Sequence, residues 1–414
     1  MKLKIRKLQI KTNWTVIEVF IFLIIIMPIV DCINGYFQGS FLSVIGPAYR
    51  FLMLVIAVYA LLKFGSKGSI IFSLFVSAFF LLHDFLFILF DNQNNNVSII
   101  VERTMKYIYV IIFIETLRAL LRKKITLFEI ETIFNYLSWL YPCLLIIPLL
   151  ISSGGNSMYI DSGYKGFYYS GNAVSISMVV SLFVAMEFLY KKPCLKNLLR
   201  AGICLAIQLL IGAKTNYIFS ALIIVFFALK AINLSKLKNI KKLFLLAVIA
   251  LISFFAIKFW FVDEIARIVS RQNYLYSALD NDWFRYLTSN RSIRIEEQLE
   301  QFKSNPFFVI FGMGYRMNLS NNFVEMDYFD LLFRYGVAIT IVLVVYYLSF
   351  LKNFFSRINN INKDYFVIYI IMQMFAAFAG HIFCDVMAGS LFALVIAYIS
   401  YNGKTNYRID RSYV

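Results

Sequence analysis

The densest group of polar residues in the sequence lies between residues 311 and 336. It contains the carboxylates of Glu325, Asp327 and Asp330 at the start of a long apolar run, followed by Arg334. On a helix, Asp327 and Asp330 share a face, and Arg334 lies one turn beyond Asp330. A carboxylate at a partly dehydrated position can have a raised pKa and act as a general base. Acidic residues at a helix N-terminus also suit the helix dipole, and this alternative stays open.

Several cations outside this group are candidates for binding an anion. Arg50, Arg103 and Lys106 lie in or beside apolar runs, where ionisable residues usually face a protein interior or a water-filled cavity. Lys214 lies in a short polar break between two apolar runs, and Lys165 lies among tyrosines of the kind that stack on sugar rings. The alternatives are pairing along a helix, an ordinary turn lysine and aromatic anchoring at a membrane interface.

The sequence contains little that would form a metal site or activate a catalytic nucleophile. The chain has two histidines, His83 and His381, and its five cysteines are scattered without metal-ligand spacing. The sequence also has no phosphate-binding Gly-rich loop that ends in Lys and Ser or Thr. We therefore predict no metal and no cofactor, and we interpret the cysteines and His381 as packing residues.

The composition indicates which elements must position these residues. Of 414 residues, 61% are hydrophobic and 15% are charged, with a mean hydropathy of +0.73, whereas soluble proteins carry about 25% charged residues. Apolar runs long enough to cross a bilayer recur along the chain. The sequence predicts an all-α, polytopic membrane protein with about twelve spans, near residues 14–33, 46–63, 69–90, 99–120, 134–152, 172–190, 198–212, 215–232, 243–261, 326–350, 365–383 and 388–402.

The formal net charge of +17 reflects topology. If the basic N-terminus is cytoplasmic and the chain changes sides at each span, most lysines and arginines between spans fall on the cytoplasmic side. This distribution predicts that both termini are cytoplasmic, and it argues against a nucleic-acid partner. The surrounding partners are then membrane lipids.

The predicted spans divide the chain into three parts. Residues 1–261 form nine spans, residues 262–325 form one long extracytoplasmic loop, and residues 326–414 form three spans and a cytoplasmic tail. Within the loop, apolar residues repeat at helical spacing from Ile295 to Phe302, beside a polar face that carries Arg291 and Arg294. We expect an amphipathic helix there, at or near the membrane surface.

The order of these motifs resembles the O-antigen ligase and polymerase superfamily, and more narrowly the Wzy-type polymerases of capsular or exopolysaccharide repeat units. The resemblance covers nearly the whole chain in architecture, with a similar number of spans and one large late loop. The segments that carry it are Gly166-Phe-Tyr-Tyr-Ser-Gly-Asn172, Ile211-Gly-Ala-Lys-Thr215, and the loop with Arg291, Asn305-Pro306, Gly312-Met-Gly314 and the run from Glu325 to Gly336.

The resemblance implies a GT-C-like, metal-independent glycosyltransferase in the bacterial cytoplasmic membrane. Such an enzyme joins a polyprenyl-diphosphate-linked oligosaccharide to an acceptor hydroxyl at the outer face, with polyprenyl diphosphate as the leaving group. Arg291 matches the loop arginine of the family, and arginine binds phosphate in a bidentate manner. The further residues expected to bind diphosphate or glycan are Arg294, Lys214, Arg103, Lys165, Arg316 and Asp330.

One departure from the family decides between polymerase and ligase. Ligases of this superfamily carry a histidine at the position that corresponds, counted back from Gly336, to Glu325. The catalytic residues implied here are therefore Arg291 and a carboxylate, Glu325 or Asp327, which favours a polymerase. A flippase and a chain-length regulator are further expected partners.

Two other functions stay open. A ligase or another glycan transferase would share the architecture. A transporter or flippase of lipid-linked sugars would also be helical, basic inside and supplied with charges within its spans. Transporters commonly show repeated halves with paired broken helices, whereas this sequence concentrates its polar residues in one late loop.

Overall fold

The structure is a computed structural model that describes residues 15–90, 97–151, 157–159, 162–232, 262–314, 324–356 and 363–401. These residues form helices, apart from connecting turns and one small antiparallel hairpin. The strands of the hairpin are β1 (Ser157–Tyr159) and β2 (Ser162–Tyr164). The helices are α1 (Val16–Tyr36), α2 (Ile45–Phe64), α3 (Lys67–Phe90), α4 (Val97–Lys123), α5 (Leu127–Leu150), α6 (Gly171–Lys191), α7 (Leu195–Ile211), α8 (Lys214–Ile232), α9 (Val262–Ala278), α10 (Trp283–Leu287), α11 (Arg291–Lys303), α12 (Pro306–Phe311), α13 (Asp327–Ser356), α14 (Lys363–Phe378) and α15 (Val386–Ser400).

The described part of the chain contains seven helices that are long and apolar enough to cross a membrane. They are Val16–Tyr36, Phe41–Phe64, Lys67–Leu89, Leu127–Leu150, Gly171–Lys191, Lys214–Ala231 and Asp327–Lys352. The helices α14 and α15 are apolar but shorter. Large apolar side chains remain exposed along the bundle, for example Leu82 and Phe85, as expected where lipid is the solvent. The chain is therefore an α-helical membrane protein.

All but one of the predicted spans coincide with helices. The exception, 243–261, lies outside the described residues. The helix α14 ends at Phe378, five residues before the predicted end of its span, because the chain turns with positive φ at Gly380 and His381.

The centre of the bundle consists of α4, α6 and α15. Nearly every residue of α4 from Tyr107 to Leu121 is buried, and α4 packs against α2, α3 and α15. The helix α6 is buried from Ala173 to Glu187, and the hydroxyl groups of Ser177 and Ser181 donate to carbonyl groups one turn earlier in the same helix. Charged residues on α4 are therefore in the protein interior or at the helix ends, and not in lipid.

One end of the bundle, here called the loop face, carries the hairpin and the helices α9–α12. The sequence predicted a single amphipathic helix between residues 262 and 325, and α11 occupies that position. The loop is held to the bundle by side chains: Lys214, at the start of α8, donates to the carbonyl of Tyr286, and Arg291 Nη1 donates to the carbonyl of Phe378 at 2.9 Å. The long loop therefore packs on the ends of α8 and α14.

The helix α13 is interrupted at Gly336, where one uninterrupted span was predicted. Gly336 has φ 81° and ψ 175°, outside the helical region. The carbonyl groups of Phe333 and Arg334 instead accept from the N–H groups of Met313 and Gly314, at 2.7 and 3.1 Å. A Cβ atom at Gly336 would lie 2.1 Å from the carbonyl oxygen of Ile310, so only glycine fits.

The opposite end of the bundle is held by ion pairs. Glu187, on α6, lies 3.2 Å from Lys191 and 3.4 Å from Lys230 on α8, and Lys230 also pairs with Asp364 on α14. The basic connections that the structure describes, around Lys63, Lys123 and Lys192, lie at this end, which the sequence predicts to be cytoplasmic. Three helices that are distant in sequence are thereby joined.

Candidate functional site

Glu325 lies at the loop face, in the turn that leads into α13. Its φ of 63° is in the left-handed region, and its carbonyl oxygen would lie 2.2 Å from a Cβ atom at Gly380, so the two turns are in close contact. The neighbouring Val324 and Met326 are buried, whereas 40% of the Glu325 side chain is exposed. The backbone is thus fixed while the carboxylate stays accessible.

Two arginines from α11 face this carboxylate. Arg291 Nη2 donates to Glu325 Oε2 at 3.0 Å, and Arg294 Nη1 lies 3.5 Å from Glu325 Oε1. The two arginines are three residues apart, which places them on one face of the helix. Because Arg291 also donates to the carbonyl of Phe378 and is only 11% exposed, its guanidinium group is held in position.

The arginines determine the charge state of Glu325. Partial burial alone would raise its pKa, but the charge and hydrogen bond of Arg291, assisted by His381 and Arg294, outweigh burial and hold the pKa of Glu325 below its usual range. Glu325 is therefore ionised at neutral pH. It is in the proton-accepting form, but it remains a weak base as long as both arginines contact it.

Asp327 and Asp330 have different surroundings. The fully buried carboxylate of Asp327 accepts from the backbone N–H groups of residues 381, 382 and 383 at 2.7, 2.6 and 3.0 Å, which holds the turn between α14 and α15. Asp330 accepts from the N–H of Val324 at 2.9 Å and so supports the turn that presents Glu325. Both aspartates thus bind backbone N–H groups in the protein interior. Of the three acidic residues, only Glu325 has a carboxylate that faces solvent.

Lys214 extends the positive charge beyond the arginines. Its ammonium lies 3.7 Å from the centroid of the Tyr286 ring and donates to the carbonyl of the same residue. It lies within electrostatic range of Arg291. The structure therefore brings Lys214, a predicted binding residue, and Arg291, a predicted catalytic residue, to one region of the loop face.

A second group of charges lies at the loop-face ends of α2 and α4. Arg50 pairs with Asp31 at 2.6 Å, and Lys106 pairs with Glu102 at 2.6 Å. The predicted binding residue Arg103 belongs to this group and lies within electrostatic range of Asp330, one turn into α13. Charges from α2, α4, α11 and the start of α13 thus converge on one end of the bundle.

Lys165 lies beside the hairpin and donates to the carbonyl of Tyr169 at 3.1 Å, and partial burial lowers its pKa. Of the nearby tyrosines, Tyr164 and Tyr168 are buried, whereas Tyr169 is 63% exposed. Only Tyr169 of these three is free to stack on a sugar ring. Arg316, also predicted to bind substrate, lies outside the described residues.

Sequence reasoning gave little weight to His381, which the structure places beside the site. It has φ 68°, lies within electrostatic range of Glu325, and contacts Cys384 Sγ through Nδ1 at 3.4 Å. Gly380 before it is the one available sequence signal, because a glycine after an apolar run often marks a sharp turn. Within the described residues, no group of three or more His, Cys, Asp or Glu side chains is arranged to hold a metal ion.

The described site is thus an ionised carboxylate held between two arginines, with further cations nearby. Such an arrangement can accept a proton from a hydroxyl group and can bind an anionic group that displaces the carboxylate from the arginines. Comparisons of the chain with protein-family models, with curated proteins and with solved structures found no match.

Proposed function

We propose that this protein is a polymerase that joins polyprenyl-diphosphate-linked oligosaccharide units into a surface polysaccharide. It would act at the outer face of the bacterial cytoplasmic membrane as a metal-independent, GT-C-type glycosyltransferase. The observation that carries the proposal is the contact of Glu325 with Arg291 and Arg294 at the loop face of a membrane bundle. The proposed transfer requires a base, here Glu325, and groups that bind the diphosphate, here Arg291 and Arg294.

In the proposed reaction, an acceptor hydroxyl loses its proton to Glu325 as its oxygen attacks the anomeric carbon of the donor sugar. The bond between that carbon and the diphosphate oxygen breaks, and polyprenyl diphosphate leaves with the electron pair. Arg291 and Arg294 stabilise the charge that develops on the leaving group, because arginine donates to phosphate through a rigid, bidentate fork.

The geometry gives the substrate a role in activating the base. Without substrate, both guanidinium groups contact Glu325 and keep its pKa low. A diphosphate that takes over these contacts leaves the carboxylate in a partly buried position without its counter-charges. Its pKa then rises towards that of an effective base.

The sequence motifs and the distribution of basic residues support the same proposal. The motifs from Gly166 to Gly336 resemble those of O-antigen polymerases in order, and the acidic residue at position 325 favours a polymerase over a ligase. The described basic connections, around Lys63, Lys123 and Lys192, lie at the end of the bundle opposite the loop face, which favours an outward-facing site.

The test is polymer formation by the purified protein. With the lipid-linked repeat unit of its host and no added metal, wild type should produce a ladder of products on a gel. Because general base catalysis contributes about 10²–10⁴-fold, Glu325→Gln should lose nearly all of this activity, and Arg291→Ala should lose a similar share. Glu297→Gln changes an exposed glutamate on α11, the helix that carries Arg291, and this matched control should keep polymer formation. Full activity in Glu325→Gln would refute the assignment of the base.

A lipid-linked sugar transporter is the second candidate, favoured by a buried polar network. Asp84, on α3, lies 3.0 Å from His83 Nδ1 and accepts from Tyr335 at 3.2 Å, beside the break in α13. Buried ionisable residues and broken helices are common at transport sites. Movement of the lipid-linked unit across proteoliposome membranes without extension of the glycan would favour this function over polymerisation.

A further inference from the structure

The short helix α12 lies below the loop-face end of the bundle. The carbonyl of Phe311, its last residue, accepts from His83 Nε2 at 2.6 Å. His83 lies seven residues before the end of α3 at Phe90, which corresponds to about 10 Å along a helix. The next turn, at Gly314, packs on the ring of Phe87, again within α3. Residues 306–314 therefore reach the depth of the membrane-crossing part of α3.

At this depth, α12 takes the place that lipid would have against α13. No residue of α13 from Asp327 to Gly336 is exposed, whereas Ile341 and Val345, beyond the break, are 56% and 60% exposed. The first part of α13 is covered by α12 and the turn that follows it, through the backbone contacts at Gly336. Lipid can reach α13 only beyond the break.

The two sides of α12 differ in their surroundings. Phe308 and Val309 pack against a buried apolar cluster that includes Phe302 and Phe333. The outer side presents Phe307, Ile310 and Phe311, at helical spacing, which are 52%, 51% and 43% exposed. Half of the six side chains of α12 thus form an outward apolar face, and no part of the described chain covers this face.

The backbone of this segment meets the condition for immersion in lipid, where unpaired polar groups are costly. The N–H groups of Gly312, Met313 and Gly314 donate to the carbonyls of Phe308, Phe333 and Arg334. The carbonyl of Phe311 accepts from His83, and Asn305 caps the start of the helix. The irregular turn after α12 is thus paired within the protein.

From this depth, apolar face and pairing, we propose that residues 306–314 form a re-entrant segment immersed in the leaflet at the loop face. Phe307, Ile310 and Phe311 contact the acyl chains of membrane lipids. The helix α3, which this segment contacts through His83 and Phe87, itself exposes apolar side chains at the same depth: Leu82, Phe85 and Leu86 are 60%, 56% and 41% exposed. The inference does not depend on the proposed function.

The test is the environment of a spin label at position 310. In a cysteine-free background reconstituted into liposomes, Ile310→Cys is labelled with a nitroxide and compared with Leu82→Cys and with the exposed Glu297→Cys. At position 310 we expect oxygen accessibility as high as at position 82 and a loss of nickel-chelate accessibility relative to position 297. Accessibility to the chelate as high as at position 297 would place α12 in water and overturn the inference. Low accessibility to both reagents would mean that protein covers the face and would also overturn it.

A second measurement avoids the cysteine-free background. Ile310→Trp in the otherwise native chain adds one emitter, and its added fluorescence is recorded in liposomes with and without lipids brominated on their acyl chains. Quenching of the added emission is expected, with the Glu297→Trp variant as the unquenched control. Equal emission of Ile310→Trp in both kinds of liposome would overturn the inference.

Discussion

Glu325 differs from the two aspartates of α13 in what its carboxylate contacts. The carboxylates of Asp327 and Asp330 accept backbone N–H groups in the protein interior, whereas that of Glu325 contacts arginine side chains and is partly exposed. A group that must exchange a proton with substrate has to be reachable. Contacts, and not residue type, therefore select Glu325 as the proposed base.

The pairing of Glu325 with Arg291 predicts a pH-dependent contribution to stability. Because the folded pKa of Glu325 is depressed, the pair contributes fully above pH 4.5, the ordinary value for glutamate, and is lost as the pH falls through the lower folded value. Glu325→Gln should therefore lower the Tm at neutral pH and lose this difference in acid. Thermal unfolding of both proteins in detergent, at neutral pH and at a pH below 4.5, checks this prediction. A difference in Tm between wild type and Glu325→Gln that is equal at the two pH values would contradict it.

Asp327 has a structural role that a single substitution can separate from catalysis. Asp327→Asn replaces one accepting oxygen with a donor, which leaves a buried backbone N–H in the turn at 381–383 without an acceptor at a cost of about 1–3 kcal/mol. We expect a lower Tm, with activity per folded molecule retained. Asp280→Asn, 83% exposed, is the control and should leave the Tm unchanged. Loss of activity at an unchanged Tm would return Asp327 to the candidate bases.

The sequence located the acidic cluster but could not assign its roles. The partners of Asp327 lie more than fifty residues later, in the turn at 381–383, and nothing in the local pattern shows that this turn folds back onto α13. For the same reason, the position of His381 beside Glu325 could not be predicted. The spacing of Arg291 and Arg294 did predict their common face, because that relation is local.

At the level of elements, three glycines bring the site together. Gly312, Gly336 and Gly380 have positive φ values, and a Cβ atom at any of them would lie within 2.2 Å of a backbone atom of another segment. They permit the turn after α12, the break in α13 and the turn after α14 to pack on one another. The close approach at Gly380 holds the turn of Glu325 against the end of α14, where Arg291 also donates to the carbonyl of Phe378.

Gly336→Ala should therefore disrupt the loop face. The change forces alanine into a region reserved for glycine, at a cost of about 1–3 kcal/mol, and places its methyl group against the carbonyl of Ile310. We expect a lower Tm and loss of polymer formation. The contrasting variant is Gly202→Ala in α7, where nothing lies within 4 Å and alanine should gain about 0.5–1 kcal/mol. If both variants behave alike in thermal unfolding, the break at Gly336 is not required.

Hydropathy predicted the helices well because burial in lipid depends on composition alone. The break in α13 and the packing of α12 and its following turn on α3 and α13 were not predicted, since both depend on contacts between segments. The sequence contained local signals, Pro306 at a helix start and glycines at 312, 314 and 336. Their meaning depends on which backbone each glycine meets, and the sequence does not give this.

Across the whole molecule, the two ends of the bundle differ in the charged groups that they carry. The loop face brings together the proposed base Glu325, the two arginines of α11 and the proposed re-entrant segment from distant parts of the chain. The other end carries the basic connections and the ion pairs of Glu187, Lys230 and Asp364. Positively charged connections are retained in the cytoplasm during insertion, so this asymmetry predicts that the loop face points outward.

The orientation predicts which side of the cell each end faces. Glu297→Cys, on α11 at the loop face, should react in intact spheroplasts with a thiol reagent that does not cross membranes. Lys192→Cys, at the exposed end of α6, should react only after the membrane is opened. Both positions are exposed, so accessibility of the side chain itself is matched. Reaction of position 192 in intact spheroplasts, with position 297 protected, would place the arginines and Glu325 in the cytoplasm, where flipped lipid-linked sugars cannot reach them, and would rule out the proposed polymerase.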